Sequence, residues 1–166
     1  MPNETFKING QPHILAFCSI TATPTEGPNK GKPFTFGRRQ SFETNGDRNA
    51  VYLKGPDGSP LATGVGDSEP TWKVGTELEE ARRLQRHLGG GNGDGYSFVH
   101  FELVFTHAAP GRAKITDTCS GCLLLEDGTT GTAGDNTTVE VGGPCASVKP
   151  GGADPMKAAA SIGATT

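Results

Sequence analysis

The chain has four cysteines and four histidines, the side chains best suited to nucleophilic or metal chemistry. Cys119 and Cys122 form a C-x-x-C pair inside a segment rich in strand-forming residues. A zinc site needs four ligands, and no second C-x-x-C and no H-x-x-x-H accompanies this pair. A thioredoxin-type C-x-x-C belongs at the start of a helix after a strand, which this position does not provide. We therefore expect no metal ion and no cofactor.

The C-x-x-C pair also has a geometric obstacle to a local disulfide. Residues i and i+3 of an extended strand lie about 10 Å apart on opposite faces, beyond the roughly 7 Å limit between disulfide Cα atoms. Only a tight turn at Ser120-Gly121 would bring the sulfur atoms together. Without that turn, one cysteine faces inward and the other faces outward, where it can bridge to another subunit. Buried free thiols, disulfides within the chain and disulfides between subunits stay open for four residues: Cys18, Cys119, Cys122 and Cys145.

No recognised catalytic motif is present. The sequence lacks H-E-x-x-H, G-x-S-x-G, a Walker loop and a dinucleotide fingerprint. The glycine-rich stretch at 89–95 follows a helix instead of joining a strand to one, which is the wrong context for a phosphate site. The sequence leaves a Cys–His nucleophilic pair open, but structural or surface roles explain the histidines. We predict that the protein is not an enzyme and has no catalytic residues.

Four carboxylates fall on predicted strands and have two interpretations. They are either plain solvent-facing positions of an antiparallel sheet or the lining of an acidic passage. A negative wall repels phosphate, so nucleic acid would pass it without sticking. The four are Glu102, Asp117, Glu126 and Glu140.

A helix at about 76–88 is the clearest element that positions other residues. Thr76 and Glu79 match the S/T-x-x-E capping box, and Gly89 suits the C-terminus. Glu79 and Arg83 have the i,i+4 spacing of an ion pair. A narrow apolar stripe indicates that one face of the helix packs on the rest of the domain. The stripe consists of Leu78, Ala81, Leu84 and Leu88.

The remainder is predicted to be strands and loops. The strongest strand is 96–107, whose apolar face carries Val99, Phe101, Leu103 and Phe105. Weaker strands are predicted at 14–21, 34–42, 51–54, 113–126, 137–141 and 146–149. The dipeptide Asn45-Gly46 predicts a hairpin turn between the second and third of these. The strand at 113–126 is predicted to be interrupted near Ser120-Gly121 and to end in a turn at Glu126-Asp127-Gly128, and Gly142-Gly143-Pro144 predicts a bulge or bend.

These elements predict a mainly β fold, an antiparallel β-sandwich or barrel with one packed α-helix at about 76–88. A long extended hairpin or loop is expected at about 24–70, where prolines and glycines are frequent. Residues 1–149 are predicted to form one domain, and residues 150–166 a loose tail.

Composition limits the possible classes. The 166 residues are 33% hydrophobic and 7% aromatic, and they include 25 glycines and 12 prolines, so the core should be modest. A formal charge of −3 argues against a general nucleic-acid binder. No apolar run is long enough for a membrane span, and no signal-peptide pattern is visible. Synthesis in the cytoplasm, with reduced thiols, is the expectation.

Several sequence phrases occur in a characteristic order. FKINGQPH and ILAFCSIT precede a long insertion and the helix, and YSFVHFELVFTH, KITDTCSGCLLLEDG and TTVEVGGPCASVKPGG follow. This order resembles the tail tube proteins of contractile-tailed bacteriophages and, more distantly, the tube protein of type VI secretion systems. The resemblance is strongest over 95–150. It implies a barrel or sandwich with a flanking helix, and six copies in a ring that stacks into a tube.

The resemblance also implies partners and a location. The chain would be a structural virion protein of a phage tail, assembled in the host cytoplasm, around a channel through which DNA passes without specific binding. It would contact its own copies, the tail sheath and the baseplate, and no membrane. Arg82, Arg83 and Arg86 become candidate outer-face contacts. Segment 24–70 becomes a stacking arm, so deletion of 28–60 is predicted to abolish tubes while leaving the domain folded.

Two other functions compete with this one. A carbohydrate- or receptor-binding β-sandwich would need an exposed aromatic platform, for which Tyr52, Trp72 and Tyr96 are the candidates. A small Cys/His zinc protein or enzyme would use the cysteines and histidines. Metal analysis and thiol titration separate the last function from the others.

Overall fold

The computed structural model describes residues 18–37, 39–46, 48–108, 113–130 and 137–153. Within these residues the fold is mainly β, with one α-helix, α1 (Leu78–Gly89), and 3-10 turns at Tyr96–Phe98 and Pro150–Gly152. The strands are β1 (Cys18–Pro24), β2 (Phe34–Thr35), β3 (Arg39–Asn45), β4 (Arg48–Lys54), β5 (Pro60–Ser68), β6 (Thr71–Glu77), β7 (Phe101–His107), β8 (Ile115–Cys122), β9 (Thr129–Thr130), β10 (Thr138–Pro144) and β11 (Ser147–Lys149).

Two antiparallel sheets form a sandwich-like body. The first has the strand order β11-β8-β7-β1-β2, and the second has the order β3-β6-β10-β9. Alternate residues of β1, β6 and β7 are buried, and the inner side chains of both sheets join one apolar cluster. Burial of a large side chain such as Trp72 or Phe101 contributes about 2–3 kcal/mol. The predicted sandwich is confirmed, and the described strands do not close into a barrel.

The helix begins two residues later than predicted. Thr76 belongs to β6, where it is fully buried and pairs with Val139 of β10, and the N-cap position falls on Glu77 without a side-chain capping bond. The predicted capping box is therefore wrong, because sheet pairing takes Thr76. The C-cap is Gly90, with φ 90°, instead of Gly89. The apolar stripe is confirmed, with Ala81, Leu84 and Leu88 fully buried and Leu78 partly buried.

The predicted hairpin exists, but its strands and its turn differ from the prediction. β3 pairs with β6 and β4 pairs with β5, so these four strands form one long hairpin. The hairpin turns at 55–59, where the Gly55 N–H donates to the Ser59 carbonyl at 2.8 Å, and Asn45-Gly46 lies along its length. β5 and β6 were missed because proline and glycines interrupt their apolar pattern.

Residues 28–60 do not form a separable arm. They include β2 and β3, which pair with β1 and β6, and the fully buried Phe36. Deletion of 28–60 would therefore remove part of the core, and the expectation that the domain survives it is wrong. The part outside the two sheets is the β4–β5 ribbon, which forms its own two-stranded sheet.

The strand predicted at 96–107 is shorter in the structure. Tyr96–Phe98 is a 3-10 turn, and β7 starts at Phe101. Its predicted apolar face is nevertheless buried from Val99 to Phe105. The predicted strand residues 14–17 and most of the predicted tail, 154–166, lie outside the described residues. The start of the predicted tail, Pro150–Gly152, is the second 3-10 turn, directly after β11.

A pair of glycines lets β10 pass between two other backbones. β10 pairs with β6 on one side, and on the other side the Leu123 N–H donates to the Pro144 carbonyl at 3.1 Å. A Cβ on Gly142 would lie 2.7 Å from the Trp72 carbonyl oxygen, and one on Gly143 would lie 2.1 Å from that of Leu123. Glycine therefore permits close backbone approach here, instead of the bulge or bend predicted at 142–144.

Gly143→Ala should destabilise the domain by about 2–3 kcal/mol, because its Cβ displaces the Leu123 carbonyl, which also accepts the Trp72 indole N–H at 3.3 Å. Urea unfolding followed by the fluorescence of Trp72, the single tryptophan, measures this change. Gly91→Ala is the control, since nothing lies within 4 Å of its Cβ position. Equal stability of the two variants would contradict the close crossing.

Candidate functional site

Three cysteines gather on the inner face of the first sheet because β8 contains a bulge. Phe101 of β7 pairs with Cys122 of β8, and Leu103 pairs with Cys119. An advance of two residues along β7 therefore corresponds to three residues along β8. Gly121 has φ 64° and supplies the extra residue. Both cysteines consequently point inward and are fully buried. The interruption predicted near Ser120-Gly121 is present, and the inward–outward alternation of an uninterrupted strand does not apply.

Cys145 completes this group, the thiol cluster of Cys119, Cys122 and Cys145. Cys145 lies where the chain leaves β10 in the second sheet and enters β11 in the first. The Cys122 Sγ–H donates to the Cys119 carbonyl at 3.4 Å. All four cysteines are buried and none forms a disulfide, so none is exposed for a bond to a second subunit within this fold.

Mutual hydrogen bonding separates the pKa values of the clustered thiols. Bonds from Cys119 and then Cys122 hold the pKa of Cys145 well below its ordinary value, although burial opposes this. Bonds to Cys119 and Cys145, together with burial, raise the pKa of Cys122. For Cys119 the bond with Cys122 lowers the pKa, but the contact with Cys145 and burial outweigh it and the pKa is raised. Cys145 is therefore the most acidic thiol of the cluster.

The fourth cysteine takes part in a contact that the sequence left open. The Cys18 Sγ lies 3.8 Å from His107 Nδ1, and His107 Nε2 lies 3.0 Å from Asp117 Oδ2. Thiol, imidazole and carboxylate occur in this order in cysteine nucleophile sites. Here Cys18 is only 6% exposed and the imidazole packs against Phe42, with ring centroids 5.2 Å apart. The His107 and Asp117 side chains are 22% and 24% exposed, and the group joins β1, β7 and β8 at one end of the sheet.

Asp117 is consequently not a plain surface acid. It lies opposite the buried Phe105, on the inner face of β8, and its second oxygen accepts the Gly151 N–H at 2.7 Å. Glu102 lies on the other face of the same sheet, between the buried Phe101 and Leu103. The sequence did not reveal this difference, because the pairing of β7 with β8, which places Asp117 opposite Phe105, is set by the tertiary structure.

Glu126 and Glu140 do share a surface, on the outer side of the second sheet. Lys73 lies between them, 3.7 Å from Glu126 and 3.2 Å from Glu140. The hydrogen bond to Glu140, and then the charges of both carboxylates, raise the pKa of Lys73. These exposed pairs stabilise the fold weakly. An open depression of about 570 Å³ adjoins them, lined by Glu126, Asp127, Gly128, Thr129 and Glu140.

Asp127 is a structural contact that sequence reasoning missed. Its Oδ2 accepts the Tyr96 hydroxyl at 2.5 Å and the Gln85 amide at 2.9 Å. It therefore ties α1 and the first 3-10 turn to the loop after β8. The only signal in the sequence was its place in the predicted turn Glu126-Asp127-Gly128.

The arginines of α1 have different environments. Arg83 bonds the buried Glu80 at 2.6 Å and lies over the Phe34 ring, and Arg82 donates to Gln85 at 2.8 Å. The ion pair is thus Glu80–Arg83 instead of the predicted Glu79–Arg83, because Glu80 faces the body, where it also accepts the Gly37 N–H. Arg86 is exposed, so it is the cleanest probe of an outer-face contact.

Two further findings limit the chemistry of the described residues. No group of three or more His, Cys, Asp or Glu side chains among them is arranged to hold a metal ion. Across the same part of the chain, no helix has the length and apolar character needed to cross a membrane.

The fold and these sites define a mainly β, sandwich-like domain with one packed helix and a β ribbon. It is similar to a chain in the cryo-EM structure of the anti-feeding prophage (AFP) baseplate, 6-fold symmetrised. The two chains share 13% identity with a TM-score of 0.55, over 83% of this chain and 94% of that chain. At this identity the likeness shows the fold. No protein-family model and no curated protein sequence matches the chain.

The Tyr96–Asp127 contact predicts that the stability of the domain and the titration of Tyr96 depend on pH in a testable way. The hydrogen bond to Asp127 raises the pKa of Tyr96, so this stabilising contact is present at neutral pH and is lost as the pH rises through the Tyr96 pKa. Asp127→Asn should move the alkaline ultraviolet titration of Tyr96 to lower pH. The chain has two tyrosines, and Tyr96→Phe identifies the step. An unchanged titration in Asp127→Asn would contradict the contact.

Proposed function

We propose that this chain is a structural subunit of a phage-tail-like particle, a tube-type protein whose hexameric rings stack around a channel. The observation that supports this most is the fold likeness to a chain of the 6-fold symmetrised AFP baseplate, which extends over 94% of that chain. The element order that resembles tail tube proteins points the same way. In this proposal the protein has a structural role, and DNA crosses the channel without specific binding.

The β4–β5 ribbon is the proposed stacking arm. Its two strands pair with each other and with no other strand among the described residues. A two-stranded hairpin is marginally stable alone in water, so contact with another subunit would stabilise it. Tyr52 on β4 is 60% exposed and offers an aromatic surface for that contact.

Lateral contacts in the ring are proposed to use sheet edges. β3, seven residues long, ends the second sheet and is its long edge, whereas the opposite edge strand, β9, has two residues. An unpaired edge of this length is an aggregation hazard unless it is covered. In a closed ring each such edge pairs with a neighbour, which removes the hazard.

Glu126 and Glu140 are proposed to face the channel. Both side chains are mostly exposed beside the open depression, and a negative wall repels phosphate. Glu102 projects from the outer face of the other sheet, so the same channel would not receive it. Asp117 is left out of this proposal because its carboxylate already bonds His107 and Gly151.

Removal of the arm should prevent stacking and leave the body folded. Replacement of residues 50–65 by an Asn-Gly turn keeps β3 and β6, so cooperative unfolding should persist while negative-stain microscopy shows loss of tubes. The matched control is Asp57→Ala, which changes the exposed turn and retains β4–β5 pairing. Tubes formed by the shortened chain would refute the arm.

Charge reversal at the proposed channel wall should create DNA binding. Tubes of the double variant Glu126→Lys/Glu140→Lys are expected to co-sediment with duplex DNA in a salt-dependent manner, and parent tubes are not. Glu102→Lys is the control on the opposite face. Binding by the Glu102→Lys tubes alone would assign the channel to the first sheet instead.

The outer face of α1 is proposed to contact an adjoining particle protein, such as a sheath, through Arg82, Arg83 and Arg86. Because Arg82 and Arg83 also bond within the chain, Arg86→Glu tests this surface with least effect on stability. The variant should form tubes whose binding to the sheath subunit, measured by co-sedimentation, falls at least tenfold. Unchanged binding would rule out this face.

The competing functions receive less support. The single tryptophan, Trp72, is fully buried and Tyr96 is half-buried, so Tyr52 is the one exposed member of the three candidates for a carbohydrate platform. For a zinc protein, the described residues provide no arranged ligand group. These observations favour the structural role.

A further inference from the structure

Cys122 and Cys145 face each other directly across two antiparallel segments. The β8–β11 pairing, in which Ser120 faces Ser147, is irregular at the Gly121 bulge, where the Ala146 N–H donates to the Ser120 carbonyl at 2.8 Å. Beyond the bulge the same register resumes, because the Leu123 N–H donates to the Pro144 carbonyl at 3.1 Å. This register places Cys122 opposite Cys145. The two cysteines are next to the hydrogen-bonded pair Leu123–Pro144, so they occupy a non-hydrogen-bonded position. Both side chains are buried, so they lie on the same inner face.

This arrangement suits a disulfide without movement of the strands. Opposite residues at a non-hydrogen-bonded antiparallel position have Cα atoms about 4.5 Å apart, within the roughly 4.4–6.8 Å found in disulfides. Cys119 and Cys122, by contrast, are joined through the bulge at Gly121, where the Cys122 thiol already bonds the Cys119 carbonyl. Cys18 belongs to a different part of the sheet. Ala22 of β1 pairs with Leu103, which in turn pairs with Cys119, and Cys18 lies four residues before Ala22 along β1.

We infer that Cys122 and Cys145 are a redox-active pair that closes a cross-strand disulfide on reaction with a small-molecule disulfide. The bond would link the end of β8 to the point where the chain passes from β10 to β11. It would therefore lock the corner between the two sheets. This inference concerns the fold of one subunit and does not depend on the proposed function.

The reaction proceeds by two thiol–disulfide exchanges. The Cys145 thiolate attacks one sulfur of the small disulfide, forms a mixed disulfide and releases one small thiolate. That thiolate takes up the proton that Cys122 loses. The Cys122 thiolate then attacks the Cys145 sulfur, closes the protein disulfide and releases the second small thiol after protonation by water. Two protein thiols are oxidised, and one small disulfide is reduced to two thiols.

The environment of the two sulfur atoms supports this order of attack. The neighbouring thiols of Cys119 and then Cys122 lower the pKa of Cys145, which makes it the most acidic thiol of the cluster and the first to form a thiolate. Cys145 is also 7% exposed, whereas Cys119 and Cys122 are fully buried, so a small reagent reaches Cys145 first. Loss of the Cys145 charge in the mixed disulfide removes one cause that raises the pKa of Cys122.

Incubation of the folded chain with hydroxyethyl disulfide, followed by alkylation in denaturant and non-reducing peptide mapping, tests the inference. The expected product links the peptides of Cys122 and Cys145 and leaves Cys18 and Cys119 alkylated. Closure of this loop should raise the melting temperature by roughly 5–10 °C, reversibly with dithiothreitol. A stable adduct on Cys145, a Cys119–Cys145 bond as the main product, or no reaction would overturn it.

Serine variants separate the two steps. Cys122→Ser should stop at a single adduct on Cys145, and Cys145→Ser should form neither adduct nor disulfide. Cys18→Ser is the matched control and should oxidise like the parent, since Cys18 is outside the cluster. Equal oxidation in Cys145→Ser would contradict the assignment, and the peptide map of the parent decides the matter if a variant fails to fold.

Discussion

The crossing of β10 between β6 and the end of β8 is the contact on which the rest of the structure depends. Gly142 and Gly143 approach the carbonyls of Trp72 and Leu123 too closely for any side chain. Because β10 belongs to the second sheet and leads directly into β11 of the first, this crossing joins the two sheets. It also buries Trp72, which packs edge-on against Phe101 with ring centroids 5.5 Å apart. A chain with a 33% hydrophobic fraction thus obtains one shared core from two small sheets.

The polar contacts of the body lie around this core and serve mainly to position elements. Asp117 holds His107 and Gly151 at one end of the first sheet, and Asp127 holds α1 and the 3-10 turn at Tyr96. Each carboxylate accepts more than one donor, so its partial burial is compensated. The Cys18–His107–Asp117 contact fits this pattern, because it joins β1, β7 and β8.

The body and the β4–β5 ribbon differ in the contacts that stabilise them. The body gathers most of its apolar side chains into one core and leaves Phe98, Ile115 and Leu125 exposed, whereas the ribbon has pairing partners only within itself among the described strands. A folded body with a weakly supported ribbon is what a subunit of a larger assembly would show, since neighbouring copies would cover the ribbon and the β3 edge. The thiol cluster lies inside the body, so its redox chemistry would act on the fold of each subunit and not on contacts between subunits.

The sequence by itself determined the elements whose patterns are local. The apolar stripe of α1, the alternation from Val99 to Phe105 and the interruption at Gly121 all followed from periodicity and residue type. The tertiary structure alone decided the pairing. Thr76 entered β6 instead of a capping box, Asn45-Gly46 lay along a hairpin instead of turning it, and Asp117 faced inward. In each case a distant backbone partner outweighed a local preference of about 1 kcal/mol, because long-range sheet pairing and burial are absent from local sequence.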